Sequence, residues 1–360
     1  MAPLSRILHR FKPSSRGQAI WPQNTVSRWL VLQQNNNPST DYYIRSRLEE
    51  TGLPVSYKDL DQDTPHFGDL APGTGVVIVR YLNARWVAAL RTHRSQLSYV
   101  AYFMDDDLLH PKHWAGLPRS YIKKLQKYCG AFIPDIRALA SAYWFSTQTL
   151  QDRYQFKVMQ VIPPRPLPLG VDNTPLPLRP LDVQSPVQMF YHGSATHQAE
   201  LDWLHPIVER LLYQCPDLHF EVIGNHAVNL QFRDLPRTRV LHPMSWHSYI
   251  SHCQTINGHI GLAPLLPSSF NEGRSHSKIY DITRCGAIGV YSTPSAYTNA
   301  IVHGEDGLLL KNEPDLWVQT IAELVENRAR LNALRTAAHA RHSTPVIETP
   351  TLMQTLLTAA

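Results

Sequence analysis

Short, fully apolar runs separated by longer stretches of helical periodicity recur along the whole chain. In the first half the runs are 29–32, 76–79, 99–103, 143–145 and 158–162, rich in Val, Ile, Leu and aromatic residues. Residues 41–51, 83–95, 116–128 and 147–154 lie between them and read as helices, with apolar positions three and four apart. The second half repeats the alternation, with runs at 187–191, 219–223, 239–241, 260–263 and 288–291. A strand that is apolar on both faces must be covered on both, the condition of a parallel sheet flanked by helices. The pattern therefore predicts an α/β protein with two such sheets. Ligands of these sheets bind beyond the carboxyl ends of the strands, so the residues just after each run are the first candidates for function.

Eight prolines fall between Ile162 and Pro186. Proline fixes φ and removes a backbone donor, so this stretch is neither helix nor central strand and reads as a connector, assigned to 166–186. It divides the chain into residues 1–165 and 187–345, in keeping with a length of 360 residues, more than one core usually holds. A last helix-like segment follows at about 349–358.

Composition sets further bounds. The four cysteines are scattered without metal-binding spacing and read as reduced thiols of a cytoplasmic protein. No apolar leader or membrane-spanning run is expected. Residues 1–170 carry 21 Lys and Arg against 12 Asp and Glu, whereas the remainder carries 13 against 17. The basic half is expected to favour anionic surfaces, such as the inner face of a membrane. Residues 4–12 have apolar positions at 4, 7, 8 and 11 opposite basic ones, which reads equally as a membrane foot or as a frayed terminus. No nucleic-acid-binding motif accompanies the charge, and no nucleic-acid partner is expected.

The most informative stretch is 270–289. A helix starting near Ser275, capped by its hydroxyl, places Arg274, Lys278 and Asp281 on one face. Free N–H groups at the helix start, together with the two cations, suit an anion such as a diphosphate. An acid further along accepts hydrogen bonds from sugar hydroxyls. Together these features suggest a nucleotide-sugar site.

The segment resembles retaining glycosyltransferases of the GT-B fold, the group-1 family. The resemblance rests on Phe270-Asn271, Arg274-Ser275, Lys278, Asp281 and Gly286, and downstream on Tyr297, residues 301–304, residues 307–310 and Trp317. Upstream it includes Tyr191-His192-Gly193, His197 and residues 220–224. It implies two Rossmann-like domains facing each other across a cleft, with a C-terminal helix crossing back to the first domain. It further implies transfer of a sugar from a nucleoside-diphosphate sugar to an acceptor hydroxyl with retention. A glycan or lipid-linked acceptor, and a role in surface polysaccharide or lipopolysaccharide synthesis, go with it by analogy of fold and charge. Arg274 and Lys278 are expected to stabilise the leaving diphosphate, and Asp281 to orient the ribose. Gly193, His197, Gly224, Pro264, Leu265, Asn271, Glu272, Gly273 and Ser275 are expected to line the donor pocket. Two positions depart from the commonest family pattern of Glu, seven residues, Glu: Gly273 stands at the first and Asp281 at the second. Asn271 and Glu272 are both candidates for the first role. A nucleotide-sugar epimerase of the same fold, or a degenerate transferase-like binding protein, are the alternatives.

Asp105, Asp106 and Asp107 directly follow the run 99–103 and therefore stand at a ligand-facing strand end. One of these acids, Asp105 first, is the candidate for positioning or deprotonating the acceptor hydroxyl. The triplet, with His110 and His113, has the chemistry to hold a divalent cation. Because the diphosphate site supplies its own cations, no metal and no other cofactor is expected.

Overall fold

The computed structural model describes residues 25–167, 177–182, 184–193 and 197–343. Residues 4–12, the segment 349–358 and the middle of the proline-rich connector lie outside the described residues. Two six-stranded sheets are present. The first comprises β1 (Arg28–Gln33), β2 (Val55–Asp59), β3 (Thr74–Val79), β4 (Tyr99–Met104), β5 (Ala142–Phe145) and β6 (Met159–Val161), in the order β2-β1-β3-β4-β5-β6. The second comprises β7 (Val187–His192), β8 (Leu218–Ile223), β9 (Thr238–Leu241), β10 (Ile260–Ala263), β11 (Ile288–Ser292) and β12 (Leu308–Leu310), in the order β12-β11-β10-β7-β8-β9. Every strand pair in both is parallel.

All ten predicted runs form strands. β3, β4, β5, β10 and β11 are buried at every position, as apolarity on both faces demands. The two unpredicted strands, β2 and β12, are the outermost of their sheets. β2 is only half-buried and reads Val-Ser-Tyr-Lys-Asp, a composition that an edge strand tolerates because one side faces no partner. Flanking helices include α1 (Ser46–Glu49), α2 (Ala84–His93), α3 (Arg119–Tyr128), α4 (Ile133–Leu139) and α5 (Gln148–Asp152) on the first sheet. On the second they are α6 (Gln198–Gln214), α7 (His226–Phe232), α8 (Trp246–Thr255), α9 (Lys278–Arg284), α10 (Pro314–Glu326) and α11 (Arg328–His342). The predicted helix 41–51 begins as one π-helical turn, Thr40–Arg45, before α1; such turns are rare and concentrate at functional sites.

Each sheet has a core on both faces, and the connection between the two halves is itself apolar. Phe270, from the second half, is buried within the core under the first sheet, where its ring meets Tyr121 edge-on at 6.3 Å. Trp246 and Tyr280 pack in the same way against the cluster on the other face of that sheet. The strand order reverses between β1 and β3 in the first sheet and between β7 and β10 in the second. At each reversal the carboxyl ends of neighbouring strands diverge and leave a crevice.

Candidate active site

Residues 270–284 lie at the crevice beyond β7 and β10 and form the principal contact with the first half of the chain. Their local structure differs from the expectation in one respect. The helix begins at Lys278 and spans seven residues, so Arg274 and Ser275 precede it, Arg274 in extended backbone. Arg274, Lys278 and Asp281 therefore do not share a helical face. Ser275 does not cap the helix: its hydroxyl is hydrogen-bonded to the Tyr43 hydroxyl of the π-helical turn. The helix ends as the sequence suggests. Gly286 at φ +76° donates to the Thr283 carbonyl and Ala287 donates to that of Ile282, the pair of bonds that closes a helix with a left-handed glycine before β11.

The two cations converge by separate routes. Lys278 donates through Nζ to the main-chain carbonyl of His192, the last residue of β7 and the neighbour of Gly193. Burial pushes the ammonium below the ordinary lysine range. Arg274 donates through Nη1 to His197 Nε2 at 2.8 Å, and its Nε stands 3.9 Å from Asp106 Oδ1 in the first half. Two largely buried cations held this close act in a low-dielectric crevice, where their attraction for an anion is stronger than in water.

The donor-side residues fall into two groups. Gly193, Gly224, His197, Pro264, Leu265 and Asn271 belong to the second half's own framework. A Cβ at Gly193 would lie 2.8 Å from the Tyr191 ring, and at Gly224 2.3 Å from Val228, so both strand ends are closed to side chains. His197 is buried and contacts Glu200 at 3.5 Å; burial, then the neighbouring Arg274, lowers its pKa to about 4, so it is neutral and able to accept from Arg274. Glu200 accepts from Asn271 Nδ2 at 2.8 Å, and Asn271 donates also to the Leu266 carbonyl at 2.8 Å. Leu265 is held by its N–H to Ser292 Oγ at 2.8 Å and by its carbonyl, which accepts from Asn312 at 3.1 Å.

The remaining residues face the first half. Asp281 accepts a hydrogen bond from the Tyr42 hydroxyl. The Gly273 carbonyl accepts from Thr147 at 3.2 Å, and a Cβ at that glycine would lie 2.8 Å from Leu150. Glu272 is largely exposed and pairs with Arg153 at 2.6 Å. Of the two candidates beside Gly273, Asn271 is thus directed into the second half and Glu272 away from it.

Across the cleft, the three acids after β4 have three different roles. Asp105 accepts from the Ser39 hydroxyl at 2.6 Å and lies 2.9 Å from Arg80; burial raises its pKa despite that arginine. Asp106 meets Arg80 at 2.6 Å and is the acid that reaches toward Arg274; burial is outweighed by Arg80 and Arg274, which hold its pKa down. Asp107, fully buried, accepts from Arg153 at 2.7 Å, from His113 at 2.6 Å and from the Tyr154 hydroxyl. Arg80, which anchors the first two, is a non-glycine residue at φ +64°, a conformation retained where the surroundings impose it. Asp106 is one of the three strand-end acids that the sequence points to, whereas Arg80, Tyr42, Tyr43 and Glu200 carry no signal in the sequence.

Three groups of side chains are spaced for a metal among the described residues: Asp107, His110 and His113; His192, Cys253 and Cys285; and His192, Glu221 and His252. In the first, Arg153 already occupies the carboxylate oxygen that faces His113.

No protein-family model matches the chain, and neither does any curated protein. Solved structures do match. An α-glucosyltransferase in complex with UDP and a 13-mer DNA is 10% identical with a TM-score of 0.59, covering 89% of this chain and 96% of its own. Sucrose-phosphate synthase from Thermosynechococcus elongatus is 12% identical with a TM-score of 0.56, covering 88% and 94%. HepE from Anabaena in complex with UDP-glucose is 13% identical with a TM-score of 0.55, covering 88% and 95%. TarM, at 11% and 0.51, is longer, and the chain spans about half its length. At these identities the likeness is one of fold: the chain has the GT-B architecture, two helix-flanked parallel sheets with their strand ends turned to a common cleft.

Proposed function

We propose that the protein is a glycosyltransferase that moves a sugar from a nucleoside-diphosphate sugar to an acceptor hydroxyl. The observation that carries this reading is the convergence of Arg274 and Lys278 at the carboxyl end of β7, opposite an acid from the first half. Charge accumulates on the diphosphate as the glycosidic bond breaks, so cations fixed beside it favour the transition state over the ground state. Gly193, beside the His192 carbonyl that Lys278 meets, borders the phosphates in this reading. Pro264 and Leu265, tied to Ser292 and Asn312, border the base, and Asn271 with Glu200 borders the sugar. Asp106 is the acid nearest the donor side and takes the acceptor-facing role, while Asp105 holds Arg80 in place.

UDP is the first donor base to test, since HepE and the α-glucosyltransferase are fold neighbours with UDP or UDP-glucose bound. Retention of configuration, and an acceptor in surface polysaccharide or lipopolysaccharide synthesis, complete the proposal. Among the described residues no helix is long and apolar enough to cross a membrane, so contact with a lipid-linked acceptor is peripheral in this reading.

A second reading is favoured by Asp281 and Gly273. Asp281 is engaged by Tyr42, and Leu150 approaches the position where the family pattern has Glu. Both fit a protein that binds a nucleotide without turning it over. Thermal shift with UDP, GDP, ADP, dTDP and CMP on wild type and Lys278→Ala tests binding. A ligand at a hundred times its Kd should stabilise by about 2.7 kcal/mol. A shift with one diphosphate that vanishes in the variant supports the site, and no shift with any of them rejects it. Release of UDP that depends on an acceptor then separates the transferase from the binding protein, and the anomeric configuration of the product tests retention.

A further inference from the structure

Behind the Lys278 helix, three soft-metal ligands come together from three elements. Cys253 lies in α8, Cys285 caps the end of α9 and His192 closes β7. All three are buried, and their two sulfurs and one ring nitrogen lie within 4.8 Å of one another. His192 Nε2 faces the buried carboxylate of Glu221 at 3.1 Å, and Nδ1, on the sulfur side, meets the Tyr249 hydroxyl at 3.4 Å, a neutral partner that a metal would displace. A histidine whose far nitrogen is held by a carboxylate has its tautomer and ring plane fixed, the arrangement that orients metal-bound imidazoles.

We propose that Cys253, Cys285 and His192 bind one zinc-class divalent cation, with Glu221 as the positioning residue for His192. Two thiolates and a neutral imidazole form a donor set that zinc prefers over harder cations, and ligand atoms this close span a tetrahedral site. Two thiolates also cancel the charge of a dication, so the loaded site adds no net charge beside Lys278 and Arg284. A cavity lined by Cys253, Cys285, Arg284, Gly286 and Arg335 adjoins these residues and is the route of entry in this proposal. The ion joins β7, α8 and α9. It thereby fixes the His192 carbonyl that accepts from Lys278, and the end of the helix that carries Lys278 and Asp281.

The alternative cation site shares His192 and uses Glu221 and His252. There both histidines already bond the same carboxylate oxygen, at 3.1 and 2.7 Å, and Arg239 stands 3.7 Å from the other. At the sulfur site the partner of His192 Nδ1 is a neutral hydroxyl, that of Tyr249.

The test is metal content of the full chain, prepared without a metal-affinity tag, followed by titration of the chelated wild type with zinc against a chromophoric chelator. One zinc per chain is expected, together with a thiolate-to-metal absorption band when cobalt replaces it. Cys253→Ser and Cys285→Ser should lose the ion, Cys215→Ser should keep it, and Glu221→Gln should bind it about 10–100-fold more weakly. The wild-type titration stands even if a cysteine variant fails to fold. Failure of the chelated wild type to take up zinc overturns the proposal. So does zinc retained by Cys285→Ser, which would put the ion on His192, Glu221 and His252. A Cys253–Cys285 disulfide in the freshly prepared protein, read as two missing thiols and no metal, overturns it as well.

Discussion

The two lips of the cleft carry charges opposite in sign to those of the chain halves behind them. The first half, rich in Lys and Arg, places Asp105, Asp106 and Asp107 after the end of β4 and turns Asp106 toward Arg274 across the cleft. The second half, richer in acids, turns Arg274 and Lys278 toward it. Net charge is set by dozens of solvated side chains whose fields are screened within about 10 Å. The character of a site is set by a few groups in a low-dielectric crevice, where each counts for far more. An overall basic balance therefore says something about encounter with anionic surfaces and little about which lip holds the phosphates.

The comparison can be broken most severely on the acidic lip. Asp107→Ala leaves Arg153 and the Tyr154 hydroxyl without their shared acceptor and should cost about 3–5 kcal/mol of stability, measured by urea unfolding. A loss below 1 kcal/mol would mean that Asp107 is not the anchor its contacts indicate. On the basic lip, Lys278→Ala should leave the fold intact and reduce turnover by about 10²–10³, equivalent to about 2.7–4 kcal/mol in the barrier. Unchanged turnover would remove Lys278 from the mechanism.

Acid should act on the second half through three of its histidines. Burial first, and then neighbouring charge, lowers the pKa of His197, His259 and His276 to about 4. Unfolded, each binds its proton near 6.5, so between 6.5 and 4 the unfolded chain holds more protons than the folded one. The stabilising contribution is thus complete above about pH 6.5 and is lost as pH falls toward 4, by up to about 1.4 kcal/mol per pH unit for each histidine. Unfolding free energies at pH 7, 6 and 5 measure the slope, and a flat profile would contradict it.

Smaller effects sharpen the comparison at the seam itself. Tyr42→Phe removes the donor to Asp281 and should destabilise by about 1.5–3 kcal/mol if the carboxylate is left buried. Raised affinity for the diphosphate in the same variant would indicate that Tyr42 competes with the donor for Asp281. Glu272→Gln, in an exposed pair with Arg153, should change stability by no more than about 1 kcal/mol.

Of the ten legible strands, eight have a neighbour on either side, and burial on both faces favours the apolar runs that revealed them. β2 was not legible, since as an edge strand it tolerates polar residues, and β12 was not because three leucines are too short a run to tell strand from helix. The local pattern of residues 270–289 was legible as a turn, two cations, an acid and a closing glycine, with Gly286 adopting the left-handed conformation common at a helix end. Its geometry was not. The helix starts three residues later than Ser275 suggests, because the Ser275 hydroxyl is engaged by Tyr43, a residue 232 positions away in the chain.

By itself, then, the sequence determined two parallel α/β sheets, the crevice ends where a ligand belongs, and the pair of cations at one of them. These follow from local periodicity and from the chemistry of neighbouring residues. Only the tertiary structure decided that Asp106 rather than Asp105 reaches Arg274, that Asp281 is met by Tyr42, and that His192, Cys253 and Cys285 share one buried corner. Each of those depends on bringing together segments tens to hundreds of residues apart. Such contacts are selected by how the two halves pack, a property that no short stretch of sequence carries.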